Sequence, residues 1–247
     1  MYTEMKTMAI CALAGLCGVA SANLVQNGGF EQTTLTGSSQ ITNTGTVSNW
    51  STNGFNFLFK PGTADSTGAI NFEEPVALTL WGPNSGSNNG LKDSPSGGNW
   101  IAADGGYEVG AIVQTINNLV VGQKYQLSFD WAAAQQSGYY GPTTEKWIVS
   151  LGAQAFSTPI LSTSSQGFQS WRQQVFTYTA TSTSEVLSFL AAGTPIGNPP
   201  FSLLDNVQLN AVQTNAVPEP DSLPLAFTGL GLVALASRRR STLQRAA

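Results

Sequence analysis

The residues able to do chemistry in this chain are few, and their types are restrictive. Its 247 residues include no histidine, which excludes His-dependent triads and His-ligated zinc. The two cysteines, Cys11 and Cys17, stand close to the start and outside any lipoprotein box. After them nothing remains for thiol catalysis or a disulfide. There is no G-x-S-x-G elbow and no phosphate-binding glycine loop opening a helix. Carboxylates are left. A glycosidase needs only two, and Glu73-Glu74 is the adjacent acidic pair. Neighbours on a strand point to opposite faces, however, and a solvated loop accounts for the pair more simply. Asp205 is different. Counting by twos it shares a phase with Leu203 and Val207, which should face a core. A carboxylate there is costly unless it is paired, holds a metal, or accepts backbone N–H groups from the N-terminal turn.

The elements that must position these groups read as strands. Between Asn23 and Ala216 eleven acids face five bases, a balance of −6. An acidic, charge-poor surface argues against nucleic acid and anionic membranes as partners. About 190 residues suffice for one domain with a substantial core. Asn23 to Glu31 reads as a short strand entering a glycine turn. Phe55 to Phe59 and Val76 to Trp81 are further candidates, and Trp100 to Ala103 precedes the turn at Asp104-Gly105-Gly106. Gly110 to Ile116 follows. Then Tyr125, Leu127, Phe129 and Trp131 alternate within 124–131, as do Trp147, Val149 and Leu151, and Phe176, Tyr178 and Ala180. Glu185 to Ala191 is another strand, and Phe201, Leu203, Val207 and Leu209 alternate in the last. A period of two marks half-buried antiparallel strands. Residues 32–54, around a buried Trp50, and 82–98 read as loops, longer than a compact sandwich needs. The fold class is all-β, an antiparallel β-sandwich or jelly roll.

Asn27-Gly28-Gly29-Phe30-Glu31, Gly122-Gln123-Lys124-Tyr125-Gln126-Leu127-Ser128-Phe129-Asp130-Trp131 and Leu203-Leu204-Asp205-Asn206-Val207 occur in that order. Together they resemble motifs of galactose-binding-domain-like sandwiches, a superfamily that includes carbohydrate-binding modules. The resemblance spans residues 23–212 and implies a jelly roll that binds carbohydrate. It also implies a structural Ca²⁺ held by Glu31 and Asp205, since hard carboxylate oxygens suit that ion. Sugar recognition in such modules uses flat aromatic faces together with amides and carboxylates. The aromatics at strand ends or in loops are Trp81, Trp100, Tyr107, Tyr139 and Tyr140, with Asp104 beside Trp100 and Tyr107. Each has an alternative as a packing residue; Tyr139-Tyr140, flanked by glycines after a strand end, is the best surface pair. A purely structural matrix protein is the alternative function, and a polysaccharide-cleaving enzyme the second. Thr177, Thr179, Thr181 and Thr183 alternate, but one such row reads as a strand running into a turn rather than a lattice-binding face.

The two ends carry address rather than chemistry. Residues 1–22 resemble a secretory signal peptide read by the Sec translocon: Lys6, an apolar run from Met8 to Val19, and Ala20-Ser21-Ala22 as an A-x-A cleavage site. At the other end Val217-Pro218-Glu219-Pro220-Asp221 is followed by an apolar run from Leu223 to Ala236 and then Arg238-Arg239-Arg240. Uncharged apolar residues suit a helix in lipid, and the arginines mark its cytoplasmic side. Residues 213–247 resemble the PEP-CTERM sorting signal of exported bacterial proteins. That implies transient membrane insertion, processing by an exosortase near Pro218-Glu219-Pro220, and delivery to the cell surface or beyond. An ordinary, uncut C-terminal anchor is the alternative.

Overall fold

In the computed structural model, the strand 124–135 carries the fold's central contrast. It begins with alternating burial and ends buried on both faces. The structure describes residues 22–42, 45–66, 68–70 and 77–213. The chain divides after Val212, and of the unit Gln213–Ala247 only Gln213 is described. The expected signal and C-terminal helices fall almost wholly outside the described residues, among which no helix is long and apolar enough to cross a membrane.

Thirteen strands follow in chain order among the described residues: β1 (Ser39–Gln40), β2 (Asn56–Phe59), β3 (Ala69–Ile70), β4 (Ala77–Leu78), β5 (Trp100–Asp104), β6 (Ile112–Asn117), β7 (Lys124–Gln135), β8 (Thr143–Leu151), β9 (Gln154–Ser157), β10 (Leu161–Thr163), β11 (Phe168–Thr179), β12 (Ser184–Thr194) and β13 (Pro200–Ala211). They form a β-sandwich. The larger sheet runs β11-β7-β13-β5-β2-β1-β3-β4 and the smaller β10-β8-β12-β6, with β9 added to β8. All pairings are antiparallel except β1 with β3.

Between the sheets lies the main core. The alternating face of β7, namely Tyr125, Leu127, Phe129 and Trp131, meets Trp147, Val149 and Leu151 of β8 and Leu187 and Phe189 of β12. Phe129 and Trp147 both pack edge-on against Phe189. Trp50 is buried there as expected. A second core sits on the opposite face of the larger sheet. Phe57, Phe59, Trp100, Ala102, Ala132, Ala134, Phe201 and Leu203 lie there with Leu78 and Leu80. Fully burying one large apolar side chain contributes roughly 2–3 kcal/mol, so this second layer explains why the centre of the sheet shows no alternation.

Three local expectations are corrected. Asn23–Glu31 is not a strand: it is joined to β13 by Leu24 N–H donating to the Leu209 carbonyl and Val207 N–H to that of Gly28. The strand expected through Trp81 is short, with β4 at Ala77–Leu78 and a single bridge from Leu80 to Gln136. In β13 the phase changes. Leu203 belongs to the second core, whereas Leu204, Val207 and Leu209 belong to the main one. A bulge between Asp205 and Gln208, with Asn206 at φ 52°, inverts the alternation. Asp205 is fully buried, but on the side of Leu203 and not that of Val207. The threonine row, as expected, leaves its strand: β11 ends at Thr179, and Thr181 bonds Glu185 from the following turn.

Candidate functional site

Three turns meet at one end of the sandwich, residues 104–111, 136–142 and 195–199. Gly193 N–H donates to the Gly105 carbonyl and Gly105 N–H to that of Pro200. A Cβ on Gly106 would lie 3.3 Å from the Ile196 Cα, and one on Gly141 2.5 Å from Asn198 Nδ2. The turns are thus packed too closely for side chains at these glycines to be accommodated without movement.

Tyr139 and Tyr140 stand in the middle turn, 41% and 64% exposed. Tyr140 lies 5.5 Å from the Trp81 ring, tilted by 57°. Trp81 is itself buried and acts as a pedestal. Its indole N–H donates to the Tyr139 carbonyl at 2.9 Å, and its backbone N–H to that of Gln135. Asn89 Nδ2 holds the Trp81 carbonyl at 2.8 Å, while Asp65 accepts the Asn84 N–H at 2.9 Å within the short 3₁₀ turn Pro83–Ser85 that follows. Gln135, fully buried at the end of β7, donates its amide to the Gly141 carbonyl at 3.0 Å and accepts the Gln166 N–H at 2.7 Å. One amide therefore fixes two turns. Gly138 and Gly141 take φ of 91° and 117°, where any other residue would be strained.

Tyr107 is half-exposed on the neighbouring turn, its ring edge-on to Phe55 at 5.4 Å. Asp104 beneath it is buried and caps the turn. Its Oδ1 accepts the N–H groups of Gly106 at 2.7 Å and Tyr107 at 3.1 Å. Burial pushes its carboxyl up to about 6, against those two bonds. Trp100 is fully enclosed in the second core. It stacks on Phe59 at 4.9 Å, and its N–H reaches Asp93 Oδ1 at 3.1 Å. Trp100 and Asp104 are thus enclosed, offering no face to a ligand, while Tyr107, Tyr139 and Tyr140 are exposed on the turns.

The carboxylates Glu31 and Asp205 are both brought to the loop 94–99. Asp205 Oδ2 accepts the Ser96 hydroxyl at 2.5 Å, and Ser96 is linked to Ser94 at 2.7 Å. Its Oδ1 is buried and has no hydrogen-bond partner among the described residues. Burial raises the Asp205 carboxyl to about 6, with the charge of Asp130, its register partner on β7, adding to it. Glu31 Oε1 accepts the Asn99 N–H at 2.7 Å, and Asn99 Nδ2 donates to the Phe30 carbonyl at 3.0 Å. Among the described residues the N-terminal turn gives Asp205 no hydrogen bond; it meets the β13 backbone instead. A Cβ on Gly28 would fall 2.0 Å from the Val207 carbonyl oxygen. Among the described residues no three His, Cys, Asp or Glu side chains converge as a metal-binding group. The donors at hand are all oxygens, and an orphaned carboxylate oxygen fits a hard cation.

No family model matches this chain, and no curated protein matches it. Among solved structures it is similar to the module TmCBM61 in complex with β-1,4-galactotriose, at 15% identity over 78% of this chain and 100% of that one, with a TM-score of 0.42. It is similar also to the CBM22-1 xylan-binding domain of Paenibacillus barcinonensis Xyn10C, at 13% identity, 79% and 97% coverage and a TM-score of 0.38. A third is the K3 cleaved adhesin domain of Lys-gingipain from Porphyromonas gingivalis, at 13% identity, 72% and 99% coverage and a TM-score of 0.40.

Sequence reasoning missed two residues. Gln135 is one; its only signal is an amide ending a long alternating strand just before the Gly-Tyr-Tyr-Gly turn. Glu145 is the other. It faces the main core from β8, with Oε2 accepting the Thr163 hydroxyl at 2.6 Å and Oε1 without a partner among the described residues. Its burial pushes the carboxyl up to about 7. The signal was present, since Glu145 shares the phase of Trp147, Val149 and Leu151. Glu73 and Glu74 lie outside the described residues, as do Pro218, Glu219, Pro220, Arg238, Arg239, Arg240 and Ala20. Ala22 is exposed at the start of the described chain.

Proposed function

We propose that this is an exported, non-catalytic protein whose sandwich binds neutral polysaccharide on the rim made by Tyr139 and Tyr140. The observation that carries this is the exposed Tyr140 ring held against the buried Trp81 by a rigid turn. A flat aromatic face fixed in advance suits the C–H face of a sugar ring, and the energy of ordering it is spent in folding rather than in binding. Residues 136–142 carry no charge, which favours an uncharged glycan. Tyr107 extends the surface on the next turn.

The test is binding of the full-length protein to immobilised polysaccharides, followed by affinity electrophoresis. Tyr140→Ala should weaken binding by about two- to tenfold, in line with about 0.5–1.5 kcal/mol for a lost aromatic contact, and leave Tm unchanged because the ring is mostly exposed. A folded wild-type protein that binds no glycan would favour a purely structural matrix role instead; release of reducing ends would favour a polysaccharide-cleaving enzyme.

Ca²⁺ would be held by Glu31 and Asp205 as a structural ion that neutralises the orphaned Asp205 oxygen. Adding Ca²⁺ should then raise Tm, and Asp205→Asn should abolish the rise; equal melting in Ca²⁺ and EDTA would remove the ion. Cleavage after Ala20-Ser21-Ala22, and exosortase processing near Pro218-Glu219-Pro220 ahead of Arg238, Arg239 and Arg240, would deliver the protein through the Sec translocon to the cell surface. Intact-mass measurement of the product recovered from the source cells tests both cuts.

A further inference from the structure

The smaller sheet ends in β6, and its outer edge is only partly covered. Ser51 pairs with Val113 as an isolated bridge, each donating to the other's carbonyl at 3.0 and 2.9 Å. Beside this bridge lies a cleft of about 380 Å³ lined by Gln26, Asn49, Trp50, Ser51, Thr115 and Asn117 together with Val113 and Gln114. A second hollow, which adds Thr52, Asn53 and Ala111, shares Ser51 and Val113 with it. The two flank the bridge on either side.

We infer that this edge cleft is a second binding site for a neutral glycan, which would make the sandwich bivalent. The inference rests on the glycan-binding function proposed above and goes beyond it, since the cleft shares no residue with the tyrosine rim.

Chemistry selects the ligand class. The lining has four amide side chains (Gln26, Asn49, Gln114 and Asn117) and two hydroxyls (Ser51 and Thr115), and no charged group. Amides donate and accept at once, as sugar hydroxyls do. The Gln114 amide is engaged with the Gln26 backbone and Asn117 Oδ1 accepts the Ser184 hydroxyl, which leaves the Gln26 and Asn49 amides and Asn117 Nδ2 to a ligand. The side chains of Gln26 and Asn49 make no hydrogen bond among the described residues and are exposed, so neither must break one to take a ligand. The backbone adds more. Val113 turns both its polar groups toward Ser51, so by the alternation of an antiparallel strand Thr115 and Asn117 turn theirs the same way, out over the cleft. Val113 and the Thr115 methyl supply an apolar strip for a C–H face.

The walls are also fixed in advance. Gln114 imitates a strand partner: its Oε1 accepts the Gln26 N–H and its Nε2 donates to the Gln26 carbonyl, both at 2.8 Å. Trp50 Nε1 holds the Asn27 carbonyl at 3.0 Å, and Asn27 Nδ2 holds that of Ser48 at 2.9 Å. Both sides of the cleft are therefore tied to each other and to β6. A peptide adding itself as a strand would find the edge blocked at Val113 by Ser51, which disfavours that alternative.

The experiment titrates full-length wild type, Tyr139→Ala/Tyr140→Ala, Thr115→Trp and Gln26→Ala/Asn117→Ala with cello-, xylo- and galacto-hexaose, with an oligogalacturonate as charged control. Stoichiometry is read by calorimetry and the Thr115 and Asn117 amides by NMR. Two sites per wild-type chain are expected for a neutral probe. The tyrosine variant should keep one, with shifts at Thr115 and Asn117, and the two cleft variants should lose that one by tenfold or more while keeping the rim. Wild type and no variant should clump the long parent polysaccharide. One site in wild type, absent from the tyrosine variant and intact in both cleft variants, overturns this inference alone. No binding of any neutral probe or polysaccharide overturns the glycan function with it. Shifts at Thr115 and Asn117 produced by an extended threonine-rich peptide and by no sugar would make the cleft a peptide site and overturn the inference too. The paired cleft variants guard against a misfolded Thr115→Trp, since all their changes are at exposed side chains.

Discussion

Tyr140 and Trp81 share between them two demands that one residue cannot meet. Under the proposed function, a ring that faces sugar must be exposed, yet it must not waste free energy by moving. Tyr140 supplies the surface, and Trp81, buried and bonded to the Tyr139 carbonyl, supplies the stillness. The buried carboxylates pose the opposite problem, since nothing on the solvent side asks for them. Glu145 has its pKa raised from 4.5 to about 7 by burial, with the Thr163 hydroxyl opposing. A carboxyl whose folded pKa exceeds the unfolded one binds its proton more tightly in the native state. Its contribution to stability is therefore full below about 4.5 and is lost as pH rises through about 7. Glu145→Gln keeps an acceptor for Thr163 and carries no charge. It should raise stability above pH 7 by on the order of 2–3 kcal/mol, since each tenfold difference in proton affinity between the folded and unfolded chain is worth about 1.4 kcal/mol, and leave pH 4 almost unchanged. Thermal melts of both proteins across that range check it; parallel curves would place no titration at Glu145.

At the scale of elements, the junction between the N-terminal turn and the β13 bulge decides where Asp205 points. Gly28 is pressed on the Val207 carbonyl, and Val207 N–H donates back to the Gly28 carbonyl at 2.9 Å. Gly28→Ala would force the two backbones apart and cost about 2 kcal/mol or more, within the range for overpacked sites. Its signature would be a lower Tm and a shifted environment at Asp205, whereas Gly37→Ala, with open space around it, should do neither. The same junction shows what the sequence could convey. Strands β8 and β12, the first half of β7 and the second half of β13 announce themselves through alternating apolar residues, because there one face meets the core and the other is more exposed. Trp100 and Ala102 do not, because both faces of β5 are covered, so their strand reads as the lead-in to a turn. The bulge at Asn206 adds one residue to the count and leaves no mark on composition. Stepping by twos from Leu203 therefore gives Asp205 the right burial and the side of Leu203, but wrongly puts Val207 on that side as well. Of the rim, the tyrosine turn was legible from its glycines, but the Trp81 pedestal is made by residues 58 positions apart. The cleft along β6 was invisible for the same reason: its walls come from three separate stretches of chain.

On the scale of the whole molecule, the larger sheet is interleaved rather than built outward. Its most extensive pairings join β7 to β11 on one side and to β13 on the other, and β13 in turn pairs with β5. The last strand in chain order among the described residues thus lies inside the sheet, between β7 and β5. A chain ending at Asn198 would leave β5 and β7 with facing edges and no strand between them, and would expose apolar residues of both cores. Such a product should lack cooperative unfolding and aggregate, while one ending at Gln213 should melt as a single transition; circular dichroism on heating separates them.

That placement makes the fold a test of completeness. A chain that stops short of β13 keeps β5 and β7 apart, because the strand that joins them is the one still missing. Shape, and with it any surface that can grip a partner, would be acquired in one late step. Until that step the chain would remain slack enough to be passed through a narrow opening or cleared by proteases.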